Sequence, residues 1–346
     1  EQAPDADLME RSTVPAGIAV QTHIYLAQGG VENLRQLHAF LCDTVLMTGF
    51  GFGPPAAMRS WGVLERDTAA GTGPTVAVLY YRAQQLAGNV AYIEALCDAI
   101  EQAGGRALAV YCTSLRTPEP ELLELLGTAD AMVVTVLAAG GARPATVGAG
   151  GDDDGWDVKH LAALDVPILQ GLCLTSSRAK WAANDDGLSP LDVATQVAVP
   201  EFDGRIITVP FSFKEIDADG LISYVPDPER CARVAGLAVN HANLRRVAAP
   251  DKRLALVFSA YPTKHSRIGN AVGLDTPASA LALLSALRDN GYDVGDVPGL
   301  EAGDGDALMH ALIERGGQDP DWLTEGQLAG NPIRIPAARY REWFAT

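Results

Sequence analysis

Residues 75–112 read TVAVLYYRAQQLAGNVAYIEALCDAIEQAGGRALAVYC, and this stretch indicates the fold class. Its first seven residues form a largely apolar run, which is typical of a β-strand buried on both faces. A segment of helical character ended by two glycines follows, and RALAVYC is a second apolar run. Strand, helix and strand in this order predict a right-handed crossover between strands of a parallel sheet.

The same alternation continues along the chain. ADAMVVTVL, VPILQGLCL and RIITVPFSFKEI predict further strands, and LALVFSAY begins a second αβ unit. We therefore expect an α/β protein with two Rossmann-like lobes and mostly parallel sheets, joined by a long helix and preceded by a helical segment. The expected parts are an N-terminal helical segment and linker (1–70), a first lobe (71–226), a bridging helix (227–250) and a second, incomplete lobe (251–346).

The two predicted lobes share a plan. Each has an apolar strand, a polar loop, a Gly-Asn pair and a helix, and the pairs are Gly88-Asn89 and Gly269-Asn270. One interpretation is that the lobes are related; the other is that every doubly wound fold repeats this order. Because ligands of such sheets bind beyond the carboxyl ends of the strands, both loops are candidate sites.

Composition excludes some classes of partner. The chain has 43 acidic and 26 basic residues and a net charge of −17, which argues against nucleic acid and anionic membranes. We find no apolar run long enough to span a bilayer and no signal peptide, so a cytoplasmic protein is expected. The chain starts in a polar tail without Met, which indicates a fragment or a processed form.

Cysteine and histidine give no metal signature. The five cysteines include no C-x-x-C pair, and most lie among apolar residues, as expected for reduced core thiols. The six histidines form no H-x-H or H-x-x-x-H pair, so no zinc site is predicted.

Residues 264–279, KHSRIGNAVGLDTPAS, first suggest a phosphate loop. However, the chain lacks G-x-x-x-x-G-K-[ST], and the spacing of Gly269 and Gly273 fits no nucleotide motif. A plain interpretation is a tight turn before a helix, with Asp275 or Thr276 as N-cap and Pro277 at the first helical position. This turn does not require the polar insertion TKHSR, which suits carboxylate or amide groups of a ligand.

Twelve residues are therefore candidates for substrate binding. His265 can also be read as a solvated loop histidine, and no catalytic residue or metal ligand is predicted. The candidates come from the two Gly-Asn loops and from LTSSR at a strand end: Tyr81, Arg82, Gly88, Asn89, Ser176, Tyr261, His265, Arg267, Gly269, Asn270, Gly273 and Asp275.

Long segments of the chain resemble the large subunit of cobaltochelatase, whose more distant relative is the magnesium chelatase large subunit. The resembling segments, in the same order, are GGVENLRQLHAFL, YYRAQQLAGNVAYIEALCDAIEQAGGRALAVYCTSL, DVPILQGLCLTSSRAKW, GLSPLDVATQVAVPEFDGRII and YPTKHSRIGNAVGLDTPASALALLSALRDNGYDV. The resemblance covers about residues 22–344. The loop RIGNAVGLDTPAS is fuller than in magnesium chelatases and favours cobalt.

The resemblance implies a metal chelatase, a ligase that forms nitrogen–metal bonds in aerobic cobalamin (vitamin B12) biosynthesis. It would insert Co²⁺, a substrate, into hydrogenobyrinic acid a,c-diamide. ATP would be hydrolysed on a partner AAA+ ATPase that works with a companion subunit, in keeping with the absence of a P-loop here. No cofactor is expected to bind this segment tightly.

The family's chains are much longer, so the resemblance implies an N-terminal portion that is inactive alone and holds the ring rather than the metal. Three alternatives stay open at this point. They are a non-catalytic docking module for the AAA+ partners, a magnesium chelatase relative that binds a porphyrin, and a free-standing two-lobed binding protein.

Overall fold

A computed structural model gives the architecture of the chain. It describes residues 6–66, 72–140, 158–183, 185–259, 268–315, 324–329 and 334–344. The chain folds as two compact units, Glu1–Arg245 and Arg246–Thr346. None of the helices in the described ranges has the length and hydropathy that crossing a bilayer requires.

The first unit is built on a seven-stranded sheet. Its strands are β1 (Trp61–Val63), β2 (Thr75–Tyr81), β3 (Arg106–Cys112), β4 (Ala131–Val134), β5 (Ile168–Leu174), β6 (Ile206–Ile216) and β7 (Ile222–Pro226). They lie in the order β1-β3-β2-β4-β5-β6-β7. The strands from β3 to β6 run parallel, whereas β1 and β7 pair antiparallel at the two edges. This sheet confirms the α/β prediction.

The order of the parallel strands contains a reversal. From β2 the chain crosses to β3 on one side and then to β4 on the other. In doubly wound sheets such a reversal marks the ligand-binding position, which here lies beyond the carboxyl ends of β2 and β4.

Helices flank the sheet or precede it. In the first unit they are α1 (Ala6–Glu10), α2 (Ala16–Gln28), α3 (Val31–Val45), α4 (Arg82–Leu86), α5 (Ala91–Gln102), α6 (Pro120–Leu126), α7 (Lys159–Ala162), α8 (Arg178–Ala182), α9 (Pro190–Asp192), α10 (Val199–Phe202) and α11 (Pro228–Leu244). A π-helical turn, Val193–Ala198, connects α9 to α10.

The two faces of the sheet have separate cores. On one face α5 and α11 pack over residues such as Val78 and Phe211, and on the other α6 packs over residues such as Leu79 and Met132. Helix α11 is the predicted bridge, and its apolar side is buried in the core of the first unit. The buried residues of α11 are Cys231, Val234, Ala235, Ala238, Val239 and Ala242.

The second unit is helical where it is described. It contains a 3₁₀ turn at Ala249–Asp251 and four helices, α12 (Thr276–Asp289), α13 (Gly305–Glu314), α14 (Glu325–Ala329) and α15 (Ala337–Phe344). A small core forms around Ala280, Leu281 and Leu308.

The second sheet predicted from the sequence is not formed among the described residues of this unit. The run LALVFS is described from Leu254 to Ser259, but it has no partner strand there, and Val257 is 90% exposed. A strand needs ladder hydrogen bonds from a neighbour, so apolar character alone does not make one.

Candidate functional site

The first candidate residues lie at the carboxyl ends of β2 and β4. The Thr135 backbone N–H and hydroxyl both donate to the Leu79 carbonyl at 2.9 Å. The Tyr81 hydroxyl oxygen accepts from the Leu137 N–H at 2.8 Å, and burial raises the pKa of Tyr81. Tyr81 therefore stays protonated at neutral pH and fixes the segment that leaves β4.

Arg82, the first residue of α4, is half-buried and engaged within the chain. Its Nε donates to the Arg59 carbonyl at 2.9 Å, and one Nη donates to the Gln28 carbonyl at 3.2 Å and more weakly to that of Met58. Gln28 is the last residue of α2, so the guanidinium satisfies a carbonyl at a helix C-terminus. The structure thus uses Arg82 to tie the N-terminal helices to the strand end.

The first Gly-Asn pair lies in the turn between α4 and α5. Gly88 has a φ of +67°, a left-handed conformation that favours glycine. The Asn89 side chain reaches β7, where its Oδ1 accepts from the Tyr224 N–H at 3.0 Å and its Nδ2 faces the Ile222 carbonyl at 3.4 Å. Both ends of the amide are therefore directed at the backbone of β7.

Ser176 follows β5, and its carbonyl accepts from the Lys214 N–H at 3.2 Å. In α8, which follows, the ring of Trp181 is approached by Arg178 of the same helix and by Arg230 of α11, with Cζ to ring-centroid distances of 5.1 Å and 4.3 Å. Arg178 also donates from Nε to Asp227 at 2.8 Å. This end of β5 therefore presents cations and an aromatic ring side by side.

The second Gly-Asn loop precedes α12. Asp275 is the N-cap, since its Oδ1 accepts from the Ala278 N–H at 3.0 Å, which confirms the predicted cap. Gly269 has a φ of +70°, and a Cβ there would lie 3.1 Å from Thr276 and 3.2 Å from Phe258, so the position is restricted to glycine. Asn270 and Gly273 are exposed.

Three of the predicted residues, Tyr261, His265 and Arg267, lie outside the described residues. The hydrogen-bonded side chains of the remaining candidates, Tyr81, Arg82, Asn89 and Asp275, each bond to a separate part of the chain. In the described ranges, no hydrogen bond joins two candidate residues. The described residues also contain no group of three His, Cys, Asp or Glu side chains placed to hold one cation.

A buried carboxylate beside the end of β5 was not predicted from the sequence. Asp192 is fully buried and accepts from the Thr175 N–H and hydroxyl at 3.1 Å and from the Ser189 hydroxyl at 2.8 Å. The Ser189 oxygen in turn accepts from the Asp192 N–H, which makes Ser189 the N-cap of α9, as the sequence S-P-L-D predicts. The cap predicts a helix start; it does not reveal that the aspartate anchors Thr175.

A second buried group was also missed. Arg205, before β6, donates to the carbonyls of Val136 and Leu137 and to Asp203, whose carboxylate accepts from the N–H groups of Ala139 and Gly140. The backbone that leaves β4 is therefore held on both its carbonyl and its amide groups by one buried ion pair.

Comparison with known proteins identifies the family. The family model described as CobN/Magnesium Chelatase matches residues 23–346. The chain belongs to this family. Within the CobN/magnesium chelatase family, it is 35% identical to the aerobic cobaltochelatase subunit CobN of Pseudomonas aeruginosa over 318 residues, which are 86% of this chain and 25% of that protein. The H subunit of magnesium chelatase from Rhodobacter capsulatus is 26% identical over 77% of this chain and 22% of its own length.

A solved structure supports the same assignment. The catalytic subunit of cobaltochelatase from Mycobacterium tuberculosis is 73% identical, with a TM-score of 0.84, and the match covers 100% of this chain and 28% of that one. The chain thus spans about a quarter of the length of the family members that it matches.

Proposed function

We propose that this chain is a portion of the large subunit of an ATP-dependent cobaltochelatase, which inserts Co²⁺ into hydrogenobyrinic acid a,c-diamide. The observation that carries the proposal is the 73% identity, over the whole chain, to the catalytic subunit of cobaltochelatase from Mycobacterium tuberculosis. Cobalt is favoured over magnesium because identity to the CobN subunit of Pseudomonas aeruginosa, 35%, exceeds the 26% to the H subunit of magnesium chelatase.

The chemistry suggests a division of labour within the enzyme. Metal insertion needs a base for the ring N–H protons, ligands that replace the water of the metal, and a site that holds the ring. The described residues offer cations, an aromatic ring and polar loops, which suit the last requirement. We propose that the metal-handling groups lie elsewhere in the subunit and that these residues alone are inactive.

The twelve candidate residues differ in their availability. In the described part of the chain, Ser176 and Asn270 have no side-chain hydrogen bond to another residue, whereas Arg82 and Asn89 are engaged. We propose that Asn270, together with Arg267 on the same loop, contacts acidic side chains of the ring. The ATP would be hydrolysed by an AAA+ partner in the cytoplasm, assisted by a companion subunit.

Reconstitution tests the proposal. The full-length subunit is mixed with its ATPase partners, Co²⁺, ATP and hydrogenobyrinic acid a,c-diamide, and cobalt incorporation is followed by the absorbance of the corrin. We expect turnover that requires ATP, and no turnover with Mg²⁺ and protoporphyrin. Turnover of the porphyrin pair alone would assign the chain to the magnesium branch.

A second candidate function is docking of the ATPase partners without ring contact. The observation that favours it is the engagement of Arg82 and Asn89 within the chain. Pull-down of the partners and titration with the corrin precursor separate the two functions. An Arg267→Ala subunit that binds its partners and chelates at the normal rate would remove that loop from the ring site.

A further inference from the structure

Apolar side chains around the N-terminal helices are exposed in the first unit. Six of them, on α2 and in the loop after α3, we call the N-terminal apolar surface: Val20, Ile24, Leu46, Met47, Phe50 and Phe52. Met47 is 82% exposed and Phe50 is 75% exposed. An open cleft of about 540 Å³ adjoins them, lined by residues of α2, α3 and the same loop, including Ile18, Phe40 and Phe52.

The loop that carries Met47 and Phe50 is held in a fixed shape. The carboxylate of Asp43, in the last turn of α3, accepts from the Thr48 hydroxyl at 2.8 Å and from the N–H groups of Phe50 and Gly51 at 2.6 Å. These three bonds fold the loop back on its helix. The two large apolar side chains are therefore displayed by an ordered backbone rather than by a frayed helix end.

The far end of the loop is anchored as well. The Gly53 N–H donates to Gln36 Oε1 at 2.6 Å, and the Gly53 carbonyl accepts from the Tyr25 hydroxyl. At the near end, Met47 has a φ of +57°, a left-handed conformation that costs a side chain of this size about 1–3 kcal/mol. The loop is therefore held at both ends and displays large apolar side chains. Such side chains are typical anchor residues of protein interfaces.

The composition of helix α2 also indicates a covered surface. Its thirteen residues, AGIAVQTHIYLAQ, include no Asp, Glu, Lys or Arg. No face of the helix carries a charged side chain, yet only Tyr25 of this helix is buried. Gly17, Gln21 and Ile24 lie on one helical face, and the first two line the cleft.

We propose that another segment of the same large subunit covers the N-terminal apolar surface. Permanent interfaces are strongly apolar, whereas transient ones resemble ordinary protein surface, so the lack of charge favours a permanent neighbour over a cycling ATPase partner. The related subunit is long enough to contain such a segment, because this chain covers only 28% of the cobaltochelatase catalytic subunit that it matches. The inference rests on the proposed function, which makes this chain a portion of such a subunit.

A photo-crosslinker at position 50 tests the proposal in the full-length subunit. p-Benzoylphenylalanine replaces Phe50, and the matched control places it at Val31, which is 78% exposed at the other end of α3, about 20 Å away. We expect cross-links from position 50, without partners present, to parts of the subunit outside these 346 residues, and none from position 31. A second sample contains the ATPase partners. Cross-links that form only to the ATPase in that sample, or none in either sample, would overturn the proposal.

Charged substitutions give a second measurement. Phe50→Asp is expected to lower the melting temperature of the full-length subunit, while Val31→Asp leaves it unchanged. Equal effects of the two variants would contradict a covered surface at Phe50. Cobalt insertion by the wild-type enzyme is assayed separately, so a failed chelatase assay with intact cross-linking would reject the proposed function and keep the interface.

Discussion

The guanidinium of Arg205 lies 2.8 Å from the carboxylate of Asp203, and neither side chain is exposed to solvent. Burial lowers the pKa of Arg205, and the charge of Asp203 opposes that shift. The pair holds the backbone that leaves β4. Its two charges are therefore balanced where the pair fixes the path of this segment.

Replacing Asp203 with Ala should destabilise the protein strongly. The change leaves the guanidinium buried without a counter-charge, and breaking a buried pair in this way costs about 3–5 kcal/mol. Urea unfolding measures the effect. Glu124→Ala, at an exposed carboxylate of α6, serves as the control and should change stability little. A loss at Asp203 no larger than that of the control would mean that the pair is not buried in solution.

Asn89→Ala should lower stability because both ends of the amide face the backbone of β7. Losing such bonds costs about 1 kcal/mol. Asn89→Asp keeps the acceptor for the Tyr224 N–H and should cost less. If Asn89→Ala instead weakens ring binding at unchanged stability, Asn89 belongs to the substrate site.

Asp227 should contribute a pH-dependent part of the stability. Partial burial acts to raise the pKa of Asp227, but hydrogen bonds from the Arg178 side chain and the Arg230 N–H outweigh it and lower the pKa. A lowered carboxyl pKa stabilises the fold above the unfolded value of about 4 and loses that effect as pH falls through the folded pKa.

Asp227→Asn keeps the cap acceptor and removes the charge. Urea titrations of both proteins should show a difference in unfolding free energy at pH 7 that shrinks by about pH 3, below the unfolded pKa. A difference of the same size at both values would show that the carboxylate charge contributes nothing.

Four of the five cysteines should resist alkylation in the native protein. Cys97, Cys112, Cys173 and Cys231 are buried, and desolvation raises the pKa of their thiols, to about 12 for Cys97. Thiolates are the reactive form, so iodoacetamide at about pH 8 should label Cys42 first, and all five only after denaturation. Mass spectrometry counts the labels, and native labelling of Cys97 would contradict the buried core.

The sequence predicted the parts of the fold whose signal is local. Runs such as TVAVLYY are apolar along their whole length because both faces of a central strand are buried, and the Asp275 cap is written in D-T-P. Strand β1 was not predicted because its three residues are too few to show an alternation of apolar and polar side chains. Among the described residues, Leu254–Ser259 form no strand, because pairing depends on a partner that the local sequence cannot supply.

The candidate site was less predictable for a related reason. Arg82 and Asn89 looked like ligand groups because they follow a strand end, yet the structure directs them at backbone groups 23 to 135 residues away in sequence. Asp192 and Asp203 were not predicted to be buried, because nothing in their local sequence shows which groups they contact. A buried carboxylate is recognised by its donors, and those donors lie on other strands and loops.

The amide of Asn89 has one more consequence. It occupies backbone groups on β7, the last strand of the sheet, and at the opposite margin β1 is three residues long. Exposed strand margins are where newly made chains pair with one another and aggregate. A side chain that fills such a margin protects the sheet against pairing with a second copy of the chain while the chain is being synthesised.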